Sequence, residues 1–73
     1  MPIRCHADHD GQGVALSRIE TAGDAESLCC FFREKVTRVV EISGREGDYR
    51  LFMPGVSNEA LGMLVASSNI ELV

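Results

Sequence analysis

Cationic side chains are scarce in this chain. Lys35 is its only lysine, six arginines are scattered from Arg4 to Arg50, and eleven acids against seven bases give a net charge of −4. Phosphate contacts need clustered lysine and arginine, so the sequence argues against nucleic acid as a direct ligand. Any charged partner is expected to be basic. Long apolar runs are missing too. None approaches the ~20 residues of a membrane-spanning helix, and Met1-Pro-Ile-Arg-Cys-His6 lacks the apolar centre of a signal peptide. A soluble, cytoplasmic protein is the expectation. Disulfides are not expected either: the three cysteines are odd in number, and a bridge between adjacent Cys29 and Cys30 would be badly strained.

With 73 residues and 45% apolar side chains, the chain has room for one small domain, residues 1–73. Its centre of organisation is residues 36–53. Thr37–Ser43 and Tyr49–Met53 are rich in β-branched and aromatic residues, and Gly44–Asp48 links them as the turn of a hairpin. Alternation assigns Val36, Val40, Ile42, Tyr49, Leu51 and Met53 to the buried face, with Glu41 on the polar one. Val39 and Phe52 interrupt that second face.

Two short strands are expected before the hairpin. Ile3, Cys5 and Ala7 alternate with polar residues, His9–Gly13 breaks the pattern, and 14–19 resumes it with looser alternation. Asp24 is the expected N-cap of a first helix, whose stripe is Ala25, Leu28, Cys29, Phe32 and Val36, with Cys30 off the stripe. After Pro54-Gly55, Ser57 caps a second helix, with Val56 and Leu61 spaced as a hydrophobic staple. Ala60, Leu61, Leu64, Val65 and Ser68 form its inward face. Gly62 suggests a close neighbour, Asn69 a left-handed C-cap, and 70–73 a last strand.

The order is (β)βαββαβ. Two amphipathic helices and a half-polar sheet predict an α+β two-layer sandwich, with both helices on one face of a mainly antiparallel sheet. The split βαβ connection of ferredoxin-like domains is the natural topology. It makes the strand at 14–19 central, so a strand at 3–7 cannot simply pair beside it: either that segment adds to an edge elsewhere, or the sheet order differs.

Chemistry-bearing motifs are weak. Cys5-His6-Ala-Asp8-His9-Asp10 concentrates metal-ligand types, yet no C-x-x-C or H-x₃-H pair supplies the paired knuckles of a zinc site. As a calcium loop, the segment would place His6 at the first ligand and Ser17 where a bidentate glutamate belongs. Gly11-Gln-Gly13 and Gly44-Arg-Glu-Gly47 are too short to cradle a phosphate. No carboxylate pair suggests acid–base work, so neither catalysis nor a cofactor is expected.

One constellation depends on the topology. The split βαβ connection gathers Glu20, Asp24, Glu26, Glu46 and Asp48 at one pole, with Arg45 as the nearby base. Such a surface steers a basic partner. The leading expectation is a non-enzymatic interaction module, monomeric or weakly dimeric, that inhibits or modulates a nucleic-acid-binding protein. In size and charge the chain is similar to small phage-encoded inhibitors of host defence, including anti-CRISPR proteins; the likeness covers those class features and no shared motif. A second reading is a metal- or thiol-dependent module using Cys5, His6, His9 and Cys30. A third is a dimeric ferredoxin-like domain that binds a small regulatory ligand.

Overall fold

The computed structural model describes residues 1–40 and 42–73. These residues form β1 (Ile3–Asp10), β2 (Gly13–Ile19), α1 (Ala22–Lys35), β3 (Ile42–Arg45), β4 (Asp48–Pro54), α2 (Asn58–Ala66) and β5 (Ile70–Leu72). The fold is α+β: one five-stranded sheet in the order β3-β4-β2-β1-β5, antiparallel except for the β1–β5 pair. Without β1 the order would be that of a split βαβ domain. The first strand finds its seat by insertion between β2 and β5. It runs antiparallel to β2, so its pairing with β5 is parallel.

The core lies on one face of this sheet. Cys5, Val14, Leu16, Ile19, Leu51 and Met53 meet Ala25, Leu28, Cys29 and Phe32 of α1, with Leu61 of α2 and Val56 just before it. The stripe expected on α1 is therefore its buried face, and Val36 follows as the half-buried C-cap. Phe31 widens the stripe by meeting Phe32 edge-on at 5.1 Å. The staple is present as well: Val56 and Leu61 are both buried, and Ser57 Oγ accepts the Ala60 amide at 3.1 Å.

Several local expectations need correction. The N-cap of α1 is Thr21, whose Oγ1 accepts the Asp24 amide at 3.0 Å. A hydroxyl three residues before an acid is the capping-box spacing, so the helix starts earlier and Asp24 sits in its first turn. The hairpin is shifted too. The first strand, expected at 37–43, begins at Ile42, because the chain leaving α1 needs 36–40 to return to the sheet edge. It also runs through Gly44, and the reversal is the two residues Glu46-Gly47, since Arg45 pairs directly with Asp48. Gly44 holds φ +133, and a side chain there would strike the Asp48 backbone. Val40 is consequently 55% exposed rather than core. Its amide donates to the Phe52 carbonyl at 3.0 Å. Glu41, assigned to the polar face of this strand, lies outside the described residues.

Two further corrections concern α2. Gly62 faces open space, not a close neighbour. The helix is capped by Ser67, and Asn69 is not left-handed. Instead Asn69 ties β5 to the start of the chain: its carbonyl accepts the Ile3 amide at 2.9 Å, and its Nδ2 donates to Met1 O at 3.1 Å.

Candidate functional site

The pole expected to carry function is built by strand direction. β2 and β3 both run antiparallel to β4, so their C-terminal ends lie at the same end of the sheet. That end carries Glu20 and the start of α1 on one side and the Glu46-Gly47 turn on the other. Glu20 and half-buried Asp24 line one depression of about 290 Å³, together with Met1, Pro2 and Arg4. Glu46 is exposed at the tip of the turn, and exposed Asp48 closes it. Glu26 is exposed on α1, and its side chain makes no hydrogen bond or ion pair among the described residues.

The pole is less uniformly acidic than expected. Arg45 is joined by Arg4, beside Glu20 and Asp24, and by Arg18, whose backbone is bound to Asp48. Arg18 sits in a β-bulge that shifts the β2–β4 register between Leu16 and Ile19, and its φ is +57. Its amide donates to Asp48 Oδ1 at 3.3 Å. The sequence signal was the loose alternation of 14–19. Val14 and Leu16 are two apart, whereas Leu16 and Ile19, all three buried, are three apart.

The second candidate set does not converge. Consecutive residues of a strand face opposite ways. Cys5 is fully buried under the helices, while His6 pairs with Ser17 on the open face. His9 pairs with Val14 and returns to the helix side at the strand's far end, and Cys30 is exposed on α1. Burial pushes the Cys5 thiol up from 9.0 to about 11, which suppresses its thiolate. Among the described residues, no group of three or more His, Cys, Asp or Glu side chains is placed to hold a metal ion.

His6 has a role that the sequence did not disclose. Its Nδ1 lies 3.1 Å from the main-chain oxygen of Val73, and its Nε2 lies 3.2 Å from Asp8 Oδ1. Beside it, Arg4 and Glu71 form an exposed ion pair at 3.9 Å across the β1–β5 seam. Another depression, of about 770 Å³, lies at the opposite pole. Gln12, Lys35, Arg38 and Val56 are among its lining residues.

Comparison with known proteins yields no match among family models, curated proteins or solved structures. No helix among the described residues is long and apolar enough to cross a membrane.

Proposed function

We propose that this chain is a non-enzymatic interaction module whose carboxylate-bearing pole docks on a basic surface of a protein partner. The observation that carries this reading is the common end of β2 and β3, which places Glu20 and Asp24 on one side and Glu46 and Asp48 on the other. A basic surface recognised by carboxylates is also the surface that proteins keep for phosphate backbones. A nucleic-acid-binding protein is therefore the partner class, and occupation of its basic channel is the mode of inhibition. The arginines at this pole make recognition one of charge pattern, with Arg4, Arg18 and Arg45 excluding partners that offer cations in the wrong places.

Rim charges act chiefly through the rate of encounter, and exposed pairs are screened beyond about 8 Å at ~0.15 M salt. The test starts with affinity capture from the native host, followed by association rates for the purified pair at two salt concentrations. Glu46→Lys combined with Asp48→Asn removes charge from the pole while keeping an acceptor for the Arg18 amide. Its association should be about tenfold slower at low salt. Glu34→Lys with Glu59→Lys, two exposed sites towards the other pole, should matter far less. Equal rates for wild type and the Glu46/Asp48 variant would remove this pole from the interface.

A further inference from the structure

We propose that the depression at the pole opposite the carboxylates is a docking groove for an acidic peptide segment of a partner protein. It lies between the C-terminal end of α1 and the first turn of α2. Half-buried Val36, Pro54 and Ala60, with buried Val56, give it an apolar lining, and exposed Lys35 and Arg38 stand beside them. Among the described residues, none that lines it is acidic. In a chain of net charge −4 this is a local inversion of sign, and it includes the only lysine. Among the described residues neither cation forms an ion pair. Lys35 Nζ lies 6.0 Å from the Phe31 ring centroid, at the outer limit of a cation–π contact, so it is not held away from a carboxylate. None of this depends on the carboxylate pole.

The lining selects the ligand's side chains. A carboxylate can take charge-assisted hydrogen bonds from the ammonium and the guanidinium. An apolar side chain next to it would cover the Val36–Pro54–Ala60 surface and release its water. A nucleic-acid strand fits poorly. Two cations are few for a run of phosphates, and no aromatic side chain lines the groove for a base to stack on. Exposed Glu34 and Glu59, adjacent in sequence to Lys35 and Ala60, would repel the further charges of such a strand.

The main chain favours a peptide over a small free acid. The chain leaves α1 at Val36 with extended geometry, φ −129 and ψ 145, and reaches the sheet at the Val40 amide. Between them, the amide and carbonyl groups of Thr37 and Arg38 make no main-chain hydrogen bond among the described residues. Unpaired backbone beside an apolar lining is what an added peptide uses, with main-chain bonds for affinity and side-chain positions for specificity.

Selection from a displayed library of random peptides tests this, run in parallel on the purified chain and on its Lys35→Glu/Arg38→Glu variant. Peptides kept by wild type and lost by the variant should carry aspartate or glutamate beside an aliphatic or aromatic residue. Basic peptides drawn to the carboxylate pole stay with both chains, so failure of that pole leaves this readout untouched. A synthetic copy of the most enriched acidic peptide should bind about tenfold more weakly to Lys35→Gln/Arg38→Gln. Ala60→Gln, which fills the apolar lining from a half-buried position, should weaken it similarly. Urea midpoints near that of wild type establish that the variants are folded. Absence of any peptide specific to wild type would overturn the groove, as would enriched peptides that lack an acid. Hexanoate binding as tightly as the peptide would reassign the groove to a small acid, and tighter binding of oligothymidylate would reassign it to nucleic acid; either result overturns the peptide.

Discussion

The carboxylate of Asp48 accepts the backbone amide of Arg18, 30 residues earlier in the chain, where β2 leaves regular extended geometry. One side chain thus closes the β3–β4 turn and supports the bulge in the neighbouring central strand. A non-glycine residue at positive φ costs about 1–2 kcal/mol and persists only where its surroundings hold it.

Arg18→Gly should therefore stabilise the domain by up to about 1 kcal/mol, by relieving that cost. Asp48→Ala should destabilise it by about 1 kcal/mol, while Asp48→Asn keeps the acceptor and loses less. Urea titration of the three variants checks the order. If Asp48→Ala matched wild type, the bulge would not depend on this carboxylate.

Phe32 is fully buried at the centre of the α1 stripe, against the sheet. Phe32→Ala should cost ~3–5 kcal/mol, enough to unfold much of so small a domain. A loss under ~1 kcal/mol would mean that the core collapses around the gap far better than cores of this density do.

Much of this was legible in the residues. Periods of 3.6 and 2 located the inward faces of both helices and of β4, because burial is what selects those residues. Cys5 and Cys30 were likewise assigned to inside and outside by spacing alone. The bulge at Arg18, the direct pairing of Arg45 with Asp48 and the bond between Asn69 and Met1 were not. Each depends on which strand lies alongside, and a period carries no such information. The same holds for the candidate pole. Connection order put five carboxylates and Arg45 at one end, but it gave no sign of Arg4, which stands beside Glu20 and Asp24 because of where β1 is seated, or of the Arg18 backbone bound to Asp48.

The glycines make a sharp pair. Gly13 has φ +147, and a Cβ there would meet backbone atoms of Met53, Pro54 and Gly55. Gly62 has open space. Gly13→Ala should cost about 2 kcal/mol or more, and Gly62→Ala should gain ~1 kcal/mol. Thermal melts of the two variants should move in opposite directions, and a stabilising Gly13→Ala would contradict the packing at the end of β4.

The cysteines should react in distinct phases. Exposed Cys30 should react with a thiol reagent at once, while Cys5 and Cys29 wait for the domain to open. The raised Cys5 value also carries a pH consequence. Between 9.0 and about 11 the folded thiol keeps a proton that the unfolded chain gives up, so stability falls as pH rises through that window. Cys5→Ala should be less stable at pH 7 and show a flatter alkaline decline. Identical alkaline slopes for variant and wild type would exclude the buried thiol as their cause.

The seat of β1 between β2 and β5 also sets an order of events in folding. β1 and β2 meet across a two-residue turn, a closure that a chain completes in microseconds. The pairing of Ile3 with Ile70 must wait for nearly the whole intervening chain to be in place. Loop-closure entropy therefore favours pairing of β3-β4-β2-β1 first, with the β1 edge unpaired, and of the parallel strand last. Between those two moments the edge is open to a β-strand from another molecule, a risk that grows with protein concentration and is shortened by rapid docking of β5.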